Sequence, residues 1–329
     1  MDKIKWGIIG AGDVCEKKSG PAFYKIEHSE LVAVMRRDEA KIKDFAARHG
    51  VSKYYTDAAQ LINDPDVNMI YVATPPASHK EYAIKALKAG KPVYVEKPMA
   101  MSYAECIEMV DTAKNAKQNL FVAYYRRALP YFLKVKELID NNKIGKILTA
   151  EIKYFRSASK SDMDTGNQTW RVNREIAGDG YFFDLAPHTL DILDFLLGEI
   201  EEAKGYTQNL GGYYSVSDTI SAIMQFKSGV TGTGQWCFVS SEQARQDTII
   251  INGTEGYIRF NTFDFRPVCL TTAKGTELFE TEHPEHIQQP LIQTIVNQLR
   301  GVGTCPSTGV SGARTSRVMD MIVNTMENK

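Results

Sequence analysis

Short apolar, β-branched runs alternate with helical segments through the first 123 residues, and that alternation leaves few folds open. Four runs read as strands, Ile4–Ile9, Leu31–Met35, Met69–Ala73 and Pro92–Val95, with Leu120–Ala123 as a fifth. Helix signals fall between them. Asp38 stands as the N-cap of a helix over Glu39–His49 with Gly50 beyond it. Ser102-x-x-Glu105 reads as a capping box before an apolar-periodic helix ending near Asn115. Strand, crossover helix and strand repeated in this way build a doubly wound parallel sheet, an α/β architecture that takes ligands at the C-terminal ends of its strands.

After Tyr124 the strands lengthen and helices become sparse: Ile147–Phe155, Glu201–Gln208, Thr219–Phe226, Thr231–Trp236, Thr248–Asn252 and Tyr257–Asn261. Glycine turns at Lys227-Ser228-Gly229 and Gly253-Thr254-Glu255-Gly256 favour antiparallel neighbours. This half reads as α+β, with an amphipathic helix over Phe183–Leu197 and a terminal helix near Ala313–Met326. A chain of 329 residues exceeds the size at which single cores stop growing. The expected division is therefore 1–123, a dinucleotide-binding domain, and 124–329, a domain for substrate and self-association. Alternating runs such as Thr219–Phe226 have one side for the helix and another for a partner subunit, so a homodimer or homotetramer is expected.

Lys and Arg total 39 against 40 Asp and Glu, which leaves no positive surplus for nucleic acid or an anionic membrane. A small-molecule partner is expected. Five cysteines, scattered and without metal-ligand spacing, fit a reducing cytoplasm, as do the charged N-terminus and the lack of any apolar run long enough to span a bilayer.

Gly10-Ala11-Gly12-Asp13-Val14-Cys15 follows the first strand and opens a helix, the context of a dinucleotide fingerprint. Gly10 permits the tight turn and Gly12 lets the backbone approach a pyrophosphate; Cys15 replaces the usual Gly or Ala at the third position. About twenty residues on, where an acid commonly holds the adenosine ribose, the strand ends in Arg36-Arg37. Two guanidinium groups suit a 2′-phosphate, and Asp38 is better used as a helix cap, so NADP(H) is favoured over NAD(H).

Two further motifs carry reactive groups. Lys97, in Val95-Glu96-Lys97-Pro98, stands at a strand end where such sheets bind ligands, and Pro98 allows a cis peptide there. Asp184, His188 and Asp191 are spaced by four and then three residues, on one face of a helix. A histidine beside carboxylates suits a general base; metal ligation is the weaker reading, because no other His or Cys lies nearby in sequence.

In order along the chain, Gly7-Ile8-Ile9-Gly10-Ala11-Gly12, the Ala73–His79 run Ala-Thr-Pro-Pro-Ala-Ser-His, Glu96-Lys97-Pro98 and Gly178-Asp179-Gly180 followed by Asp184-x3-His188-x2-Asp191 resemble the glucose-fructose oxidoreductase and inositol dehydrogenase (Gfo/Idh/MocA) family. The resemblance implies a Rossmann domain, a second domain on an open, mainly antiparallel sheet, and a pyranose or cyclitol bound between them. It implies catalytic roles for Lys97, Asp184 and His188, and hydride transfer between a nicotinamide and a secondary alcohol or carbonyl. It also implies cofactor contacts at Asp13, Val14, Thr74, Pro75, His79, Glu96 and Lys97, and substrate contacts at Tyr125, Arg126, Trp170 and Arg171. Asp179, where glycine is usual, Cys15 and Arg36 depart from the family pattern. A nicotinamide-binding sensor, or a glycosidase that holds NAD tightly, is the other class compatible with these motifs.

Overall fold

The computed structural model describes residues 1–324 apart from 165 and 167. It divides into two compact units: Met1–Leu129 with Pro284–Ala313, and Pro130–His283 with the chain from Arg314 onward. The first change of unit falls at 129/130, and a distant segment, Pro284–Ala313, returns to the first unit.

The first unit holds a six-stranded parallel sheet. Its strands are β1 (Ile4–Ile9), β2 (Ser29–Met35), β3 (Lys53–Tyr55), β4 (Met69–Val72), β5 (Val93–Val95) and β6 (Leu120–Val122), in the order β3-β2-β1-β4-β5-β6. Every strand pair is parallel. β4, β5 and β6 are buried throughout, as expected for strands covered on both faces. Trp6, Phe23, Tyr71 and Tyr94 form an aromatic nucleus, with Trp6 4.5 Å from Phe23 and Tyr71 4.9 Å from Tyr94 between ring centroids.

The crossovers are α1 (Asp13–Lys17), α2 (Ala22–Lys25), α3 (Glu39–Arg48), α4 (Ala58–Asn63), α5 (His79–Lys88) and α6 (Tyr103–Asn115). Asp38 caps α3 by accepting the Lys41 N–H at 3.0 Å. Ser102 accepts the Glu105 N–H at 3.3 Å, but Glu105 accepts the N–H of Met101, so the expected reciprocal box is displaced by one residue. The single helix expected after the glycine loop is instead the short pair α1 and α2. A Cβ at Gly20 would lie 2.0 Å from the Cys15 carbonyl, so the chain folds back against α1 where only glycine fits. β3 escaped sequence reading because it is three residues long and only half-buried.

The second unit is an eight-stranded sheet: β7 (Ile147–Phe155), β8 (Ile200–Gln208), β9 (Thr219–Phe226), β10 (Thr231–Cys237), β11 (Gln246–Gly253), β12 (Gly256–Phe260), β13 (Val268–Thr272) and β14 (Gly275–Phe279). The order is β14-β13-β12-β11-β7-β10-β9-β8, antiparallel except for β7 with β10. Both glycine turns join antiparallel neighbours, and Gly229 has φ +85°. β13 and β14 follow the expected strands and were not foreseen. Helices α7 (Pro130–Asp140), α8 (Lys160–Met163) and α9 (Arg174–Ala177) precede the long α10 (Gly180–Leu197), which starts three residues before its expected position. Buried and exposed residues alternate along β9 and β10. The buried set meets α10, where Phe182 packs on Trp236 at 5.3 Å and the Trp236 indole N–H donates to Thr189 at 3.3 Å. The opposite face leaves Tyr206 62% and Ile223 61% exposed.

α11 (Gln289–Leu299) belongs to the segment that returns to the first unit. α12 (Gly309–Val323) begins earlier than expected, and the expected end at Met326 lies outside the described residues. Its Arg314 clamps Asp194 of α10 with two bonds of 2.9 and 2.7 Å. None of the five cysteines is in a disulfide. No helix of the described residues is long and apolar enough to cross a membrane.

Asp194 is 5% exposed, so weakening the clamp removes a charge-assisted pair from a largely buried place. Asp194→Asn is expected to cost about 2 kcal/mol, discounted for the partly exposed arginine, and to lower Tm by roughly 4–8 °C in a thermal melt.

Candidate active site

In the order β3-β2-β1-β4-β5-β6 the strand order reverses between β1 and β4, and open α/β sheets bind ligands beside that point. The glycine loop after β1 and the Thr74 loop after β4 therefore adjoin. Gly10 has φ +89°, and a Cβ there would meet the Thr74 backbone N at 2.8 Å and Cγ2 at 2.6 Å. Glycine is required both for the turn and for this close approach. Gly12 differs: its Cβ would meet nothing nearer than 3.7 Å. Open space above an extended backbone is what a dinucleotide pyrophosphate needs, so the loop fits the cofactor that the fingerprint implies. Asp13 is exposed and Val14 half-buried beside it. Cys15 is fully buried, and burial pushes its thiol up to about 12, so it acts as packing and not as a nucleophile.

At the end of β2, Arg36 turns back to the loop and donates to the Ala11 carbonyl at 3.3 Å. Arg37 is exposed, while Asp38 is engaged as the α3 cap. On the other side Thr74 is half-buried and accepts the Ser78 hydroxyl at 2.8 Å, with Pro75 exposed. His79 has no exposed surface. Its ring nitrogens lie 2.7 Å from the Thr74 carbonyl and 2.9 Å from the Pro98 carbonyl, and burial lowers its pKa. In this structure His79 braces the Thr74 and Pro98 loops against each other.

The Lys97–Pro98 peptide is cis, as the sequence allows, and Lys97 is half-buried. Glu96 turns inward. One carboxylate oxygen accepts the Tyr71 hydroxyl at 2.6 Å and the Gln288 amide at 2.7 Å; the other accepts the Lys97 backbone N–H at 3.2 Å. Burial pushes the phenols of Tyr71 and Tyr94 well above their ordinary range, so both stay protonated donors. Gln288 was not foreseen, since nearly two hundred residues separate it from Glu96. The only sequence signal was tyrosine in place of an aliphatic residue within two interior strands. Tyr125 and Arg126, on a short 3-10 turn, are 7% and 2% exposed. The guanidinium lies 4.9 Å over the Tyr125 ring, so the two pair with each other and leave little ring surface open for stacking.

In the second unit, the Arg171 Nε donates to Asp184 at 3.1 Å and its guanidinium stacks 4.7 Å over the ring of Trp170, which is 37% exposed. Trp170, Arg171 and Asp184 form one chain of contacts. His188 follows Asp184 by one turn of α10, is 4% exposed, and meets the ring of Phe263 edge-on at 5.7 Å. Pro187 lies within the helix and cannot donate to the Phe183 carbonyl. Asp191, on the same face, is buried and accepts the Thr315 hydroxyl at 3.2 Å, so it ties α12 to α10. Asp179 accepts from Arg174 at 3.3 Å and from the Ser217 N–H at 3.1 Å, which explains an acid where glycine was expected. No group of three or more His, Cys, Asp or Glu among the described residues could hold a metal ion.

Residues 4–124 match an oxidoreductase family with an NAD-binding Rossmann fold, and residues 132–259 match the GFO/IDH/MocA C-terminal domain. An oxidoreductase from Formosa agariphila is 40% identical over 327 residues, 98% of this chain and 99% of that protein. A 1,5-anhydro-D-fructose reductase from Ensifer adhaerens is 27% identical over 94% of this chain and 92% of its own length. A levoglucosan dehydrogenase solved with NADH and levoglucosan shares the fold with a TM-score of 0.87 at 23% identity, over 99% of this chain and 98% of that one. With both domains matched and a relative at 40% identity along almost its whole length, this chain belongs to the GFO/IDH/MocA family of NAD-binding oxidoreductases.

Proposed function

We propose that the enzyme prefers NADP(H) and transfers a hydride between the nicotinamide and a secondary alcohol or carbonyl of a sugar, sugar derivative or cyclitol. The observation that carries the reading is Asp184, paired with Arg171, one helical turn before His188 on α10, in a chain that also ends β5 with Glu96-Lys97-Pro98. Relatives named for anhydrofructose and levoglucosan support a carbohydrate substrate.

A bound nicotinamide supplies the hydride acceptor or donor. In the oxidation direction His188 accepts the hydroxyl proton on an imidazole nitrogen as the carbon gives up its hydride; reduction returns the proton. Lys97 Nζ hydrogen-bonds the same substrate oxygen and stabilises its alkoxide character. Asp184 and Arg171 present an acceptor and a donor to neighbouring hydroxyls, and Trp170 offers an apolar ring face for a sugar. Gly10, Gly12, Asp13 and Val14 cradle the pyrophosphate. Arg36 and Arg37 meet the 2′-phosphate, a role supported by the engagement of Asp38 as a cap. Thr74 and Pro75 line the same edge. Glu96 acts through the position it gives Lys97.

The exposed face of the second sheet is proposed as the contact with a second copy of the chain. Lys153 pairs with Glu151 at 2.7 Å, and Glu202, Lys204, Tyr206 and Ile223 lie on exposed positions of β8 and β9. A patch that mixes both charges around apolar side chains complements itself under two-fold symmetry.

His188→Ala is expected to lower kcat by about 10²–10⁴ with cofactor affinity nearly unchanged. Lys97→Ala should do similar damage, and the two losses should be strongly non-additive, because both groups serve one proton transfer. A folded His188→Ala enzyme with near-native kcat on its best substrate from a panel of aldoses, ketoses, anhydrosugars and cyclitols would overturn the assignment.

Loss of the phosphate contact costs about 1.5–3 kcal/mol, so NADP(H) should bind roughly ten- to a hundredfold more tightly than NAD(H), and Arg36→Ala should remove most of that difference. Fluorescence titration of both cofactors decides it; equal affinities in the parent enzyme count against the arginines. Light scattering at micromolar concentration should report a dimer or tetramer, with Ile223→Glu shifting it toward monomer; a strictly monomeric parent protein contradicts the proposed contact.

A further inference from the structure

We propose that Gln288 is a positioning residue for Lys97, acting through Glu96; the inference rests on the catalytic reading of Lys97 given above. Gln288 is 1% exposed at the start of α11. Its side-chain carbonyl accepts the Tyr94 hydroxyl at 2.7 Å, and its amide NH₂ donates to Glu96 at 2.7 Å. That Glu96 oxygen also accepts from Tyr71, and the Tyr71 and Tyr94 rings are stacked at 4.9 Å. Two donors on one oxygen fix the carboxylate plane, and the second oxygen then holds the N–H of Lys97 at 3.2 Å. The peptide from which the lysine side chain springs is thereby set by a residue 191 positions away in sequence. Glutamine suits the place because its amide accepts at one end and donates at the other, which neither an ionised glutamate nor leucine does.

Gln288 is itself held against the helix that follows the glycine loop. Its backbone N–H donates to the Lys18 carbonyl at 3.2 Å, and Nδ1 of His286 lies 2.9 Å from the Lys17 carbonyl. Lys25 Nζ donates to the other ring nitrogen of His286 at 2.6 Å, which places the proton on Nδ1. Lys17 and Lys18 carry carbonyls that a helix end leaves without intrahelical partners. Residues 286–288 therefore close the end of α1 and, through one amide, register the Glu-Lys-Pro turn against it. No backbone contact of α1 depends on the Gln288 side chain, so its replacement separates the lysine from the cofactor loop.

The test is a mutant cycle with Gln288→Leu, Gln288→Glu and Lys97→Ala, read as kcat, cofactor Kd by fluorescence, and Tm. Gln288→Leu is expected to lower kcat about tenfold, in line with a catalytic group displaced by less than an ångström, with cofactor Kd within about twofold. In the Lys97→Ala background it should lower kcat no further. Gln288→Glu sets two buried carboxyls against each other, so they share a proton and their apparent pKa rises. The protonated form restores a donor. Because the folded-state pKa is the higher one, its stabilising effect is present at low pH and lost as pH rises. Both the Tm and the kcat of Gln288→Glu, relative to the parent, should therefore rise as pH falls from about 8.5 to about 6.5. The other titratable groups facing Glu96 are Tyr71, Tyr94, Cys15 and His79, with the Lys97 ammonium beside them. Burial pushes the phenols and the thiol up and the imidazole down, away from that window. If Gln288→Leu does not fold, Gln288→Glu carries the same cycle. An equal loss in both backgrounds, or a parent-like kcat and a flat pH ratio, overturns the positioning role while leaving an impaired Lys97→Ala enzyme intact. A Lys97→Ala enzyme with unchanged kcat overturns the catalytic reading and this inference together.

Discussion

A carboxylate at the end of an interior strand must be met by donors, because leaving it unpaired in a low-dielectric interior costs several kcal/mol. Glu96 is such a group, 7% exposed at the end of β5. Much of the first unit answers that demand. Residues 71 and 94, inside strands otherwise rich in aliphatics, are tyrosines whose hydroxyls reach Glu96 directly or through Gln288. The chain returns at Pro284–Ala313 to supply the amide. The result is a fixed backbone at Lys97, and rigid support of this kind is what the catalytic role proposed for Lys97 requires.

The same logic holds around the glycine loop. The reversal of strand order brings the ends of β1 and β4 together, and their loops interlock so closely that no side chain fits on Gly10. His79 then spans from the Thr74 carbonyl to the Pro98 carbonyl, so the two loops and the lysine turn form one connected surface. What is left open, the space above Gly12, is the part a dinucleotide has to enter.

In the second unit one long helix does several jobs with residues that share a face. Asp184, His188 and Asp191 have similar spacing but different surroundings. Arg171 reaches the first, Phe263 lies against the second, and Thr315 of α12 takes the third into the core. Only the first two remain candidates for chemistry. A sheet with alternating burial supports α10 on one face and leaves the other face with apolar and charged side chains of both signs.

Local patterns in the chain were enough for the alternating strands and helices, the Asp38 cap, the glycine loop and the Asp-x3-His helix, because each is set by residues within about one or two turns of each other. β1 and β7 match their expected bounds, and the family motifs lead to the same class that relatives support. Contacts between distant residues were not legible. Nothing near residue 288 says that it faces Glu96, nothing near His79 says that both its nitrogens are engaged, and nothing near Tyr125 and Arg126 says that the guanidinium lies over the ring. Short edge strands and broken helices such as β3 and the α1–α2 pair were missed for a related reason. Their limits are decided by what packs against them, as the Gly20 approach to Cys15 shows, and not by periodicity. Sequence determined which chemical groups the protein has and on which kind of element each stands; tertiary structure decided which of them are buried and which distant partners each one meets, since burial and hydrogen bonding depend on residues far apart in the chain.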